Sequence, residues 1–302
     1  MSASEDSSQF FQLFAQLGIL FQARFLRPLW QKHSSRDTDD WEAVSIFLTG
    51  YAFERQGAKP DYRHVAADVV SGLARQGCPL IHASTAQKVW EVFCKTSGGA
   101  RLNYANNPLC PQATHYTRKT GAATTYSKSL IEFLRALSKS GLGANIVVFA
   151  KTGLQSDYTA DVHHAIQDIN GIGSKIASLF LRDIAVMYNV FPAKDRHLLQ
   201  PVDVWVKRAF EKLTPRGRPD IETIQRGIVE EATRTGISPE AVNQGMWYFS
   251  SQVADSEYRL SKALSDLGYA RSLLREYIKA VKQETAAATI LVKGGDVQVG
   301  NC

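Results

Sequence analysis

Apolar residues recur at three- and four-residue spacings along most of the chain, the period of helices with one buried face. Phe10, Phe11, Phe14, Leu17, Phe21, Phe25 and Leu26 make such a stripe and predict a first helix. A second is predicted from the Asp37-Thr38-Asp39-Asp40 cluster, which suits an N-cap, to Gly57. Others are predicted near 62–76, 84–96 (capped by Ser84 or Thr85), 126–138, 157–168, 174–189, 203–213, 220–235, 238–252 and 255–281, the last broken at Gly268. Sustained period-two alternation is absent, so the expected class is all-α. Residues 97–124 interrupt the pattern: Ser97-Gly98-Gly99, Asn103-Tyr104-Ala105-Asn106-Asn107-Pro108 and Thr120-Gly121 are turn formers with few aliphatics. They read as a long exposed loop, of the kind that often carries function. The expected organisation is a disordered 1–10, one helical domain over 11–284 with a subdomain boundary within 97–125, and a frayed tail or short strand over 285–302. Two helical subdomains are expected to flank a cleft.

Composition narrows the class of partner. With 302 residues, 44 % of them hydrophobic, the chain can bury a sizeable core. Its 35 Lys and Arg against 29 Asp and Glu give +6, which fits a polyanion and equally fits ordinary solubility charge. Cys78, Cys94, Cys110 and Cys302 are widely separated, so neither a zinc ribbon nor a disulfide framework is expected. The polar start, Met1 to Ser8, is unlike a signal peptide, and Gln12, Gln16, Gln22 and Arg24 break the most apolar early stretch. A soluble, cytoplasmic protein is expected, with no membrane partner.

Candidate chemistry begins at Ile169-Asn170-Gly171-Ile172-Gly173-Ser174-Lys175. Val162, Ala165, Ile166 and Ile169 precede it on one predicted helix, and Ile176, Leu179, Phe180 and Ile184 follow on another. Two glycines around an aliphatic residue suit a tight turn, because glycine takes positive φ cheaply. Ser174 can then cap the second helix. The first-turn amides of that helix have no internal partner and suit a phosphate. The run Gly171-Ile172-Gly173-Ser174-Lys175 resembles the hairpin of the helix-hairpin-helix base-excision DNA glycosylases. The hairpin alone also fits a plain helix connector or a DNA-binding module without catalysis.

A second motif, Pro201-Val202-Asp203-Val204-Trp205-Val206-Lys207-Arg208, strengthens the resemblance. In that family an aspartate opens a helix downstream of the hairpin, commonly after a Pro-Val pair. Asp203 stands where an N-cap carboxylate gains from the helix dipole. One departure is clear: the stretch from Lys175 to Asp203 is about eight to ten residues longer than is usual in the family, the excess falling in Met187 to Leu199. Asp195 is nearer the usual spacing but lacks the Pro-Val lead and the apolar helix after it, so it stands second to Asp203.

The resemblance implies a partner and a mechanism. Double-stranded DNA carrying an altered base would be kinked and the base flipped into a pocket. Asn170, Gly171, Gly173, Ser174, Lys207 and Arg208 would contact DNA. Asp203 would stabilise positive charge on the sugar, and Lys175 would form a Schiff base from which the strand can be nicked. A lysine at the hairpin marks the bifunctional branch, similar to the 8-oxoguanine enzymes. No four-cysteine cluster follows Asp203, so no iron–sulfur cofactor is expected, nor any metal beyond a loosely held monovalent ion at the hairpin. Asn243, Gln244 and Trp247 offer amides and a stacking face for a base pocket, and equally read as the interior of a helix. Tyr104 and Asn106 could fill the gap left in the duplex. The expected enzyme is a nucleoid-associated monomer acting on an oxidised purine or a bulkier base, such as a hypermodified base of phage DNA. The alternative is a non-catalytic helix-hairpin-helix DNA-binding protein.

Overall fold

Side chains fix where many of the helices start. Asp39 accepts from the amides of Trp41 and Glu42 at 2.8 and 3.2 Å, inside the predicted cap cluster. Asn145 accepts from Val147 and Val148, and Ser129 and Glu132 form a reciprocal capping box. Asp220, Ser238 and Ser256 cap three later helices in the same way.

The computed structural model describes residues 3–53, 62–97, 106–111, 114–116, 123–126, 128–214 and 217–294. They form α1 (Ala3–Phe21), α2 (Arg27–Gln31), α3 (Asp40–Phe47), α4 (Arg63–Arg75), α5 (Thr85–Thr96), strands β1 (Thr114–Tyr116) and β2 (Ala123–Tyr126), then α6 (Leu130–Lys139) and α7 (Ile146–Gln155). There follow α8 (Thr159–Gln167), α9 (Ser174–Tyr188), α10 (Val204–Leu213), α11 (Ile221–Arg234), α12 (Pro239–Tyr248), α13 (Glu257–Ala263) and α14 (Leu267–Gly294). Wider π-type turns occupy Gln22–Leu26, Leu48–Ala52 and Phe249–Val253, and a 3₁₀ turn occupies Arg196–Leu199. The class is all-α, with one antiparallel ladder that pairs Thr114 with Tyr126, His115 with Thr125 and Tyr116 with Ala123.

Several expectations are corrected. Part of the predicted 97–124 loop is the β1–β2 ladder, whose threonines and tyrosines favour extended backbone without alternating apolar residues to announce it. Helix α7 was not predicted, because Ile146, Val147, Val148 and Phe149 form an apolar run without helical periodicity. Helix α1 begins at Ala3, within the segment expected to be disordered, and α14 continues to Gly294, within the expected tail. The long terminal helix breaks at Leu264–Asp266, just before Gly268.

The chain divides into two compact units, one of residues 20–203 and one of 1–19 with 204–302. The division therefore falls outside 97–125. In the 20–203 unit, Trp30, Phe47, Tyr51, Phe93 and Phe180 are the large fully buried aromatics, and α7, α8 and α9 pack together. Trp30 Nε1 donates to the Tyr51 hydroxyl (2.9 Å), which donates to Asp183 Oδ2 (3.2 Å), and Asp183 pairs with Arg182 at 2.9 Å. Burial in this network pushes the Tyr51 hydroxyl well above its ordinary pKa. In the other unit, Phe11 and Phe14 of α1 share the core with Phe210, Ile228, Met246 and Phe249. A β-carbon on Gly18 would overlap the Ala241 carbonyl, and one on Gly245 would overlap that of Phe14. Both glycines thus let α1 and α12 meet backbone to backbone.

Candidate active site

The turn that joins α8 to α9 is built from both ends. Ile166 and Ile169 are buried at the end of α8, Ala177 and Phe180 at the start of α9, and Ile172 is buried between the two glycines. Ile172 therefore pins the turn into the core. Gly171 sits at φ +75°, and a β-carbon there would overlap the Asn106 carbonyl. Conformation and contact both require glycine at 171. Gly173 is different. Its backbone is extended (φ −94°, ψ 174°), and among the described residues nothing lies within 4 Å of the place of its missing β-carbon.

A second layer props the turn from behind. The Lys128 amide donates to the Asp168 carbonyl (2.9 Å), and the Asn170 amide donates back to the Lys128 carbonyl (2.8 Å). Asn170 Nδ2 donates to the Asn107 carbonyl at 2.9 Å. Asn170 is fully buried, so its side chain holds the turn from inside and is not a surface group for DNA. Asn106, proposed as a gap filler, is exposed beside Gly171, whereas Tyr104 lies outside the described residues.

Helix α9 starts without a side-chain cap. Gly173 occupies the N-cap position and Ser174 is the first helical residue, exposed, so the predicted Ser174 cap is not formed. Among the described residues, the amides of Gly171, Gly173, Ser174 and Lys175 donate to no protein acceptor. The helix dipole adds partial positive charge at the same spot. Lys175 is exposed at the second position of α9. A cation and four open donors thus stand together on one turn.

The connection to Asp203 is ordered along its length. Asn189 ends α9 in the left-handed conformation. Asp157, two residues before α8, accepts from the amides of Ala193 (2.7 Å) and Lys194 (3.4 Å). Asp195 follows in an exposed left-handed position, next to Lys194, whose amide is held by Asp157 two residues before α8 begins. The nine residues of α8, about 13 Å of helix, separate its start from the turn. Arg196–Leu199 then packs against α8 and α9, with His197 and Leu199 buried. Gln200, Pro201 and Val202 are buried, and half-buried Asp203 immediately precedes α10, the helix-start position read from the sequence. Lys175 and Asp203 belong to the same compact unit.

The remaining candidates lie in the other unit. Lys207 is exposed, 3.9 Å from Glu211. Arg208 pairs with Glu257 at 3.0 Å and lies over the Trp205 ring. On α12, Asn243 and Gln244 are buried and Trp247 half-buried, while Tyr248 and Phe249 belong to the core. Gly245 admits the backbone of α1. Asn243 and Gln244 are therefore helix interior, while Trp247 keeps part of its surface exposed.

One residue that sequence reasoning passed over is His163, buried on α8 with its Nε2 3.3 Å from the Ser174 carbonyl. Its signal was a polar pair, His163 and Gln167, one turn apart on a helix that enters the turn. Among the described residues, no group of three or more His, Cys, Asp or Glu stands together as a metal site needs. No described helix is long and apolar enough to cross a membrane.

Comparison with known proteins adds little. The chain is similar to an uncharacterised protein of Methanocaldococcus jannaschii, 25 % identical over 221 residues, 67 % of this chain and 48 % of the relative. It spans about half the length of that relative. No family model and no solved structure matches the chain.

Proposed function

We propose that the protein is a DNA glycosylase with an associated strand-nicking lyase activity, and that residues 159–188 are its helix-hairpin-helix element. The observation that carries the proposal is the turn at 171–175. Exposed Lys175 shares it with four open amides and with a glycine, Gly173, that no contact among the described residues requires. Empty space over open amides at a helix start is what a DNA phosphate needs to approach the backbone. Asp203, which immediately precedes α10 and lies in the same compact unit as Lys175, supplies the carboxylate.

In the proposed reaction a flipped nucleotide presents its C1′ to Lys175. The bond from C1′ to the base breaks, positive charge builds on the sugar, and Asp203 stabilises it. The deprotonated Lys175 amine attacks C1′, the base leaves with its bonding electrons and a proton, and ring opening gives a Schiff base. A C2′ proton then passes to water, and the electrons left behind expel the 3′ phosphate. The proposed substrates are duplexes carrying an oxidised purine or a bulkier modified base, held in a base-binding cleft lined by helices. A cytoplasmic, nucleoid-associated monomer is part of the same proposal.

The test is incubation with a panel of modified-base duplexes in the presence of borohydride. Wild type should form a covalent complex and nick one class of lesion. Lys175→Gln should abolish trapping while keeping DNA affinity, and Asp203→Asn should slow excision by about 10²–10³-fold. Salt-dependent binding without trapping on any duplex would leave the non-catalytic DNA-binding protein as the answer.

A further inference from the structure

The ring of His163 lies inside the α8–α9 pair, 3 % exposed, and its two nitrogens have different partners. Gln167 Nε2 stands 3.1 Å from Nδ1 and also 3.1 Å from the His163 carbonyl. A carbonyl only accepts, so that Gln167 atom is a donor, and Nδ1 must accept from it as well. The ring proton therefore sits on Nε2, which donates to the Ser178 hydroxyl oxygen at 3.1 Å and to the Ser174 carbonyl at 3.3 Å. Burial favours the same neutral ring and pushes its pKa down. His164 on the same helix and His197 on the 196–199 turn push the same way, against the bond to Ser174.

The Ser174 carbonyl belongs to the peptide whose N–H is that of Lys175. We propose that His163 is a positioning residue: its Nε2–H locks the Ser174–Lys175 peptide, so that the Lys175 amide and side chain are presented together to the DNA backbone. The inference rests on the proposed glycosylase activity. In most helices a side-chain cap steadies the first turn, and glycine at the N-cap of α9 cannot do so. His163 does not replace the cap, which would accept from the first-turn amides; it holds the same turn through a carbonyl and leaves those amides open. A hydrogen bond into the carbonyl also draws charge through the peptide and makes its N–H a stronger donor.

Two variants separate the hydrogen bond from the packing of the ring. In His163→Gln an amide nitrogen reaches the place of Nε2; in His163→Asn it reaches only that of Nδ1. Borohydride trapping on an abasic-site duplex at saturating DNA should be within twofold of wild type for His163→Gln and about fivefold slower for His163→Asn, the weight of one hydrogen bond. Long-range ¹⁵N correlation spectra of the full chain at pH 7 should show His163 as the Nε2–H tautomer. The Lys175 amide nitrogen should shift upfield in His163→Asn relative to His163→Gln, because the preceding carbonyl has lost its donor. Equal trapping by the two variants, or an Nδ1–H or doubly protonated ring at pH 7, overturns the proposal. If wild type does not trap at all, the lyase reading falls. The lock is then decided by the tautomer and the Lys175 amide shift, and no shift between the variants sinks it.

Discussion

Gly171 and Gly173 look alike in sequence, yet the structure asks different things of them. Alanine at 171 meets a left-handed backbone and the Asn106 carbonyl together, so Gly171→Ala should cost about 2 kcal/mol or more in urea unfolding. Alanine at 173 meets neither, so Gly173→Ala should leave stability within about 0.5 kcal/mol of wild type and weaken duplex binding at fixed salt. Equal stability losses for the two would contradict the difference in their surroundings. His163 adds a pH dependence. Its folded pKa is depressed from the reference value of about 6.5, so the unfolded chain binds its proton first as pH falls. Its contribution to stability is therefore complete above about pH 6.5 and lost as pH falls through the folded value. Thermal melts between pH 8 and 5 should fall more steeply for wild type than for His163→Gln. Lys175 and Asp203 were raised as candidates by the motifs around them and the family these resemble, Asp203 in spite of its spacing. His163 was not, because a buried donor is identified by what it touches, and its acceptor lies eleven positions away.

At the scale of elements, the α8–α9 turn owes its shape to chain distant in sequence. Asn107 and Lys128 flank the β1–β2 ladder and both hydrogen-bond to residues 168–170. Asn170→Ala removes one of two donors to the Asn107 carbonyl, leaving that of the Cys110 amide, and should cost about 0.5–1.5 kcal/mol, measured by denaturant unfolding. Sequence periodicity placed most helices, since each shows an apolar stripe of its own. It missed α7, whose Ile146, Val147, Ala150 and Leu154 are buried among neighbouring helices and leave little polar contrast to read. The 243–249 segment was ambiguous in a different sense. Amides and aromatics describe a base pocket and a helix interior equally well, and the burial of Asn243 and Gln244 shows only in the packed structure.

At the scale of the whole molecule, α1 belongs to the unit formed by residues 204–302 although most of the chain intervenes. Phe10, Phe11, Phe14 and Leu17 are buried, so a chain lacking residues 1–19 should lose cooperative unfolding of that unit, seen as a missing transition in calorimetry. The choice between Asp203 and Asp195 is also tested at this scale. Asp195→Asn should keep trapping within twofold of wild type, because Asp157 ties its loop to the end of α8 away from Lys175. The sequence by itself determined the helical class, most element positions and the motif residues from Gly171 to Lys175, because these depend on spacings within a few helical turns. Tertiary structure alone decided which glycine is sterically required, which amides stay open, which polar residues are interior and where the units divide. Those properties follow from contacts between segments far apart in the chain, and local periodicity carries no record of them.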